Sequence, residues 1–309
     1  MSGVALLLPG QGSQFVGMGE DLAGAFGGVR EVYEEADDIL ERRLSRLCWD
    51  GPVEELTATE NAQPAILLHS YAVWTLVREA LDDSVVVGAG HSLGEFSAHL
   101  LAGTFAFADA LRLVQRRGVL MARSGADRPG TMAAILGLSP TQIEELCESV
   151  PTGVVVPANL NAPGQVVISG DVEAVASAGE LASEAGARRV VPLNVSGAFH
   201  SPLMEVAADG LKDALAGTEA SDPRFSVIAN ATAAAVTDAE EARTTLRAQL
   251  TSPVRWVESM ECMREEDPSR WLELGPGNVL TGLLRRIDRS LSSTAVGDAK
   301  AVDALLAGA

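Results

Sequence analysis

Between Val85 and Gly103 the chain reads VVVGAGHSLGEFSAHLLAG, and this stretch limits the possible folds more than any other. The β-branched run Val85-Val86-Val87 predicts a short buried strand. Gly90-His91-Ser92-Leu93-Gly94 follows, and Glu95 to Leu101 predicts a helix. A strand, a glycine-bounded turn and a helix, with serine at the apex, form the nucleophile-elbow pattern G-x-S-x-G. So sharp a turn holds the serine in a strained backbone conformation and pushes its Oγ beyond the sheet edge. The flanking glycines let neighbouring backbone pass where a Cβ would clash. Leu93 opens the helix, where main-chain N–H groups have no intrahelical partner and can face an anion. Ser92 is therefore a candidate nucleophile and the Leu93 N–H a candidate oxyanion donor. The bland alternative is a structural glycine turn carrying an incidental serine.

The flanking sequence supplies an α/β frame for this elbow. Val4–Leu8 is an apolar run ending in Pro9-Gly10-Gln11-Gly12, which predicts a buried strand followed by a glycine-rich loop. Helical spacing runs from about Val29 to Cys48. A long helix is expected over Gln63–Leu81, with Pro64 in its first turn, where a missing N–H costs little. Asp109 is expected to cap a helix over Ala110–Ser124. Between about 128 and 195 the order is strand, helix, two strands, helix, strand, with the turn-rich Asn159–Gly164 joining the middle strands. That order is a ferredoxin-like unit. Helices and strands alternate again to Ile287, which implies a parallel sheet covered on both faces. The expected architecture is thus an α/β-hydrolase-like large domain from 1–127 and 196–309 with an inserted ferredoxin-like small domain at 128–195.

Charge and apolar content narrow the function classes. A formal net charge of −19 argues against nucleic acid and anionic membrane surfaces as partners. No apolar run reaches the roughly 18 residues of a membrane span, and no basic-then-apolar leader opens the chain, so a cytoplasmic protein is expected. Cys48, Cys147 and Cys262 are widely spaced and odd in number, and read as buried reduced thiols; no metal site is expected.

A serine nucleophile needs a base, and the chain has four histidines. His91 adjoins Ser92, and consecutive turn side chains diverge. His99 lies on the elbow helix. His69 sits in an apolar helical stretch and reads as a satisfied core residue. His200 lies in Ser196-Gly197-Ala198-Phe199-His200-Ser201-Pro202, a loop between strand and helix, where α/β sheets place their chemistry. Spacing favours His200.

At this point a resemblance becomes specific. LLPGQGSQFVGMG at 7–19, TENAQPAILLHSYA at 59–72, GHSLGEFSAHLLAG at 90–103, RRGVLM at 116–121, ANLNAPGQVVISG at 158–170, VSGAFHSPLM at 195–204, QLTSPVRWVESM at 249–260 and ELGPGNVLTGL at 273–283 occur in the order of one family. The chain resembles the malonyl-CoA:acyl carrier protein transacylases and the related acyltransferase domains of polyketide synthases. It fits the standalone enzymes better than a domain cut from a megasynthase.

The resemblance implies ping-pong acyl transfer. Malonyl would pass from malonyl-CoA to Ser92, then to the phosphopantetheine thiol of an acyl carrier protein, for fatty-acid or polyketide synthesis, with no bound cofactor. His200 would be the base. Gln11, by side chain or backbone, and the Leu93 N–H would form the oxyanion hole. The Gln249 main-chain carbonyl would orient His200, Arg117 would grip the malonyl carboxylate, and Phe199 would crowd a substituent on the α-carbon. Arg116 reads as a solvated helix charge, and Asn159 and Asn161 as turn residues. The alternatives are an editing hydrolase using the same elbow, or a trans-acting acyltransferase for another extender unit. Carrier proteins are acidic, so docking would need a local basic patch. Arg42/Arg43/Arg46, Arg188/Arg189 and Arg285/Arg286/Arg289 are the candidates.

Overall fold

A computed structural model describes residues 3–308 of the chain. Its strands are β1 (Val4–Leu8), β2 (Val85–Gly90), β3 (Gly130–Leu136), β4 (Val155–Ala162), β5 (Gln165–Asp171), β6 (Arg189–Pro192), β7 (Ser226–Ile228), β8 (Ala235–Val236), β9 (Arg270–Leu274) and β10 (Ser293–Val296). They form two sheets. The larger has the order β10-β9-β1-β2-β7-β8, parallel throughout except for the antiparallel β7–β8 pair. The smaller, β4-β5-β3-β6, is antiparallel.

Every residue of β1 is buried, and the pleat sends alternate side chains into two cores. Val4, Leu6 and Leu8 join the core built by the long helices Thr59–Leu81 and Phe107–Asp127. Ala5 and Leu7 join Val87, Ala89, Trp256 and Trp271 on the opposite face. A parallel strand covered on both faces needs a continuous apolar run, and VALLL supplies one. The smaller sheet packs its own core, with Ile135, Val166 and Ile168 against Ile143, Val175 and Ala178 from its two helices.

Several expected boundaries move. The long helix begins at Thr59, so Pro64 lies beyond its first turn. The missing proline N–H frees the Glu60 carbonyl, which accepts from Arg42 Nη2 at 3.5 Å. Asp109 is not a cap, because its helix starts at Phe107 after Ala106; it sits in the first turn, 3.7 Å from Arg112. The segment from Val29 to Cys48 is split between helices Gly27–Leu40 and Leu44–Asp50. Asn159 and Asn161 are strand residues, not turn residues. β4 extends to Ala162 because Leu160 N–H donates to the Val254 carbonyl and Val254 N–H donates to Ala158. Cys48 and Cys147 are buried, but Cys262 is partly exposed.

Candidate active site

The elbow forms where β2 runs out of the sheet. Ser92 has φ 52° and ψ −104°, a region that a side-chain-bearing residue occupies only when its surroundings hold it there. Backbone crowding explains both glycines. A Cβ on Gly90 would lie 1.8 Å from the Gly94 carbonyl carbon, and one on Gly94 would lie 2.0 Å from the Leu8 carbonyl oxygen. The Gly94 and Glu95 N–H groups close onto the carbonyls of His91 and Ser92. Leu93 is the first helical residue, so its N–H precedes the intrahelical ladder. Ser92 N–H donates to Asn230 Oδ1 at 2.7 Å, and Asn230 Nδ2 donates to the Gly90 carbonyl at 2.8 Å. One asparagine from the end of β7 therefore grips the strained residue from both sides.

Ser92 Oγ lies 2.8 Å from His200 Nε2, and His200 Nδ1 lies 2.9 Å from the Gln249 carbonyl oxygen. A carbonyl only accepts, so Nδ1 carries the proton and Nε2 offers its lone pair to the serine hydroxyl. His200 has a left-handed φ of 57° and is buried. Its loop is tied down by Ser201 Oγ donating to the Ala198 carbonyl at 2.6 Å. Burial, and then the nearby Arg117 charge, push the His200 imidazole down to about 3. It is neutral at pH 7.

Arg117 is 1% exposed on the helix Phe107–Asp127. Nη2 donates to Ser92 Oγ at 3.0 Å and to Gln249 Oε1 at 2.8 Å, and Nη1 donates to Gln63 Oε1 at 2.7 Å. Its Nε has no partner among the described residues. The guanidinium also stands 5.4 Å from the Phe96 ring centroid. Burial lowers it to about 10, so it stays cationic at pH 7. Arg116, its neighbour, faces solvent.

Gln249 contributes more than its carbonyl. Nε2 donates to the Ser92 carbonyl at 2.9 Å and to Glu95 Oε2 at 2.5 Å. Glu95 is fully buried, and burial pushes its carboxyl up to about 7 against the pull of Gln249, Asn230 and Arg117. Gln11 Nε2 donates to Thr59 Oγ1 at 3.3 Å, which pairs with Ser196 Oγ at 3.0 Å. These three residues line an open cavity of about 480 Å³ with Val53 and Asn194. Phe199 is buried beside His200 and packs into the main core. His91 turns away from the serine to Asn161 Oδ1, 2.7 Å away, linking the elbow to the smaller sheet. Of the arginine clusters, Arg42 is partly buried and tied to Asn61 and Gln115 at 2.5 and 2.6 Å, which removes it as a free docking charge.

The geometry thus unites Ser92, His200, Gln249 and Arg117. It adds Asn230, Gln63, Glu95 and the Gln249 amide, which the sequence reading did not single out. Glu95 did leave a signal: it is an acid within LGEFSAHLL, a helix otherwise too apolar to face water. Asn230 and Gln63 left none.

The acyl transferase domain family matches residues 6–305. The malonyl CoA-acyl carrier protein transacylase of Bacillus subtilis is 43% identical over 305 residues, covering 98% of this chain and 96% of the relative. The Escherichia coli protein of the same name is 42% identical over 307 residues, covering 99% of each. Among solved structures, a malonyl-transacylase in complex with a type II polyketide-synthase acyl-carrier protein superposes with a TM-score of 0.96 at 43% identity, over all of both chains. An acyl carrier protein S-malonyltransferase from Vibrio cholerae gives 0.94 at 44%, covering 98% of this chain and 100% of that one.

Proposed function

We propose, on the premise that this chain belongs to the acyl transferase domain family and within it to the malonyl CoA-acyl carrier protein transacylases, that it moves malonyl from malonyl-CoA to a carrier-protein thiol through an ester on Ser92. One observation carries the reading: a single oxygen, Ser92 Oγ, meets both a neutral imidazole at 2.8 Å and a buried guanidinium at 3.0 Å. A base beside a nucleophile suits acyl transfer in general. A buried cation at the same oxygen suits an acyl group that carries its own anion.

His200 Nε2 takes the Ser92 proton as Oγ attacks the thioester carbonyl. The oxyanion faces the Leu93 N–H. With the Gln11 side chain engaged by Thr59, its main-chain N–H is the second donor. Collapse expels the CoA thiolate, which takes the proton from His200. The malonyl carboxylate pairs with Arg117, and Phe199 crowds the α-carbon. The carrier's pantetheine thiol then gives its proton to His200 and attacks the ester carbonyl; the C–Oγ bond breaks and Ser92 Oγ leaves with that proton from His200, which restores the resting pair. Malonyl binding also changes the base. Arg117 is one of the charges that depress His200, and a bound carboxylate neutralises it. The substrate therefore makes the imidazole more basic where a proton must be taken up.

The same reading treats 128–195 as an inserted domain, since all strands of the smaller sheet come from Gly130–Pro192. Among the described residues no helix is long and apolar enough to cross a membrane, and the reading places the enzyme in the cytoplasm. The test is intact mass after mixing with malonyl-CoA. Without carrier, one malonyl adduct is expected on Ser92 and none on Ser92→Ala. With holo carrier, the adduct should move to the carrier. Release of free malonate in its place indicates an editing hydrolase, and an adduct on a cysteine removes Ser92 as nucleophile.

A further inference from the structure

All nine residues of the elbow helix Leu93–Leu101 are buried, and one of them is an acid. A buried carboxylate is costly unless its lone pairs are met. Glu95 Oε2 accepts from Gln249 Nε2 at 2.5 Å and from Asn230 N–H at 3.0 Å, while Oε1 has no partner among the described residues. The two groups it holds are those that hold the reacting side chains. Gln249 gives its carbonyl to His200 and its Oε1 to Arg117, and Asn230 clamps Ser92 and Gly90.

We infer that Glu95 is a positioning residue for acyl transfer: its carboxylate fixes the orientation of the Gln249 amide, and through that amide the seat of Arg117, while its second bond steadies the Asn230 clamp on Ser92. A primary amide can be turned either way, and a carboxylate accepts only. Facing Glu95 and the Ser92 carbonyl, two acceptors, the Gln249 amide must present NH₂ to them, which leaves Oε1 for Arg117 Nη2. Turned over, the amide would set its NH₂ against the guanidinium and its oxygen against the carboxylate. Glu95, together with the Ser92 carbonyl, thereby selects the one orientation in which Arg117 has a fixed partner. When ionised, the carboxyl also places a negative charge two hydrogen bonds from a buried cation; when protonated on Oε1, it still offers Oε2 as the acceptor, so the amide orientation does not depend on the charge. An amide at position 95 carries no charge, and it can turn its own NH₂ toward Gln249, so it no longer enforces the orientation.

This inference rests on the proposed malonyl transfer, and its test separates the two. Single-turnover acylation of Ser92 is measured by quenched intact mass with malonyl-CoA and acetyl-CoA, for wild type, Glu95→Gln, Gln249→Leu and the double variant. Thermal melts check folding. Gln249→Leu keeps the main-chain carbonyl that holds His200 and deletes only the amide. A displacement of about 1 Å at a reacting group is worth about 100-fold. Glu95→Gln should therefore slow malonyl acylation by roughly 10- to 100-fold, and at least about tenfold more than acetyl acylation. Gln249→Leu should show the same selective loss, and the malonyl-to-acetyl ratio of the double variant should be no lower than that of the poorer single one, because Glu95 is hydrogen-bonded to Arg117 only through Gln249 while its Asn230 bond acts on both donors alike. A role in stability alone would lower both donors by one factor. That result, a Glu95→Gln rate within about twofold of wild type, or multiplying losses of the malonyl-to-acetyl ratio in the double variant overturns the inference. If Glu95→Gln does not fold, Gln249→Leu decides on the same criterion. Failure of wild type to form malonyl-Ser92 overturns the functional reading instead.

Discussion

Arg117→Ala offers the sharpest separation of substrate binding from nucleophile chemistry. In the free enzyme the guanidinium donates to Gln63, Gln249 and Ser92, and its Nε has no partner among the described residues. A carboxylate paired by two charge-assisted hydrogen bonds gains about 1.5–3 kcal/mol from each. Losing both costs about 3–6 kcal/mol, or roughly 10²- to 10⁴-fold in kcat/KM for malonyl-CoA. Acetyl-CoA brings no carboxylate and loses none of this. It also meets a more basic His200, since the Arg117 charge is one cause of the depressed imidazole. Some of the loss will be structural, because the side-chain Oε1 atoms of Gln63 and Gln249 are left buried without their donor, at about 1–3 kcal/mol each. Acetyl transfer, measured in the same preparation, corrects for this. The assay is competition between the two thioesters, read as a kcat/KM ratio, with Arg117→Lys as an intermediate that keeps the charge and loses the planar fork. An unchanged malonyl-to-acetyl ratio in Arg117→Ala would mean that the carboxylate is held elsewhere.

Three further outcomes follow from the same geometry. Phe199→Ser should leave malonyl transfer near wild type and improve methylmalonyl transfer by about 10- to 200-fold, the usual worth of one methyl group; an unchanged ratio of the two thioesters removes Phe199 as the filter. Gly94→Ala should prevent the elbow from closing, because its Cβ would meet the Leu8 carbonyl at 2.0 Å; a melting temperature and an acylation rate equal to wild type would refute that. Acid should destabilise the fold between pH 6.5 and 5. Burial holds His69 at about 4 and His99 and His200 at about 3, against 6.5 when exposed, so the unfolded chain binds the extra protons and stability falls with pH. Each contributes about 2 kcal/mol of loss by pH 5. Glu95, raised to about 7, runs the other way and offsets roughly a third of the sum, about 2 of about 6 kcal/mol, leaving a net loss of about 4 kcal/mol that denaturant midpoints at pH 7 and pH 5 would register; equal midpoints would refute it.

Much of the fold is legible where a stretch meets only one environment. VALLL is buried on both sides and reads as a continuous apolar run. The βαββαβ order of 128–195 is legible because each element has its own period and its own turn. Misreadings cluster where a distant segment decides. Asn159 to Ala162 has turn composition and Pro157 just before it, and β4 is an irregular edge strand with register shifts at both places. Pairing with Val254, far along the chain, draws it out into a strand. β10 was not foreseen, since Ser293–Val296 is a half-exposed edge with one fully buried side chain.

The site divides in the same way. Ser92, Arg117 and His200 stand in long motifs, and their arrangement needs only the elbow turn, the helix Phe107–Asp127 and the loop before Ser201 to meet at one end of the sheet. The polar groups that hold them do not announce themselves, because hydrogen-bond direction is not written in spacing: Asn230 and Gln63 reach Ser92 and Arg117 from 138 and 54 residues away. What these supports explain is why a histidine backed by a neutral carbonyl suffices. In a Ser-His-Asp triad an anion behind the imidazole stabilises the imidazolium as the proton arrives. Here the position behind Nδ1 is a main-chain carbonyl, and the nearest charge is a cation, so the free base is weak. On the proposed reading, the missing anion comes with the substrate. Malonyl neutralises Arg117 from the far side, and a thioester with a good leaving group needs less help than an amide. A donor without a carboxylate would face a weak base and an unpaired buried arginine at once, so the rejection of acetyl-CoA and the activation of His200 are two consequences of one ion pair.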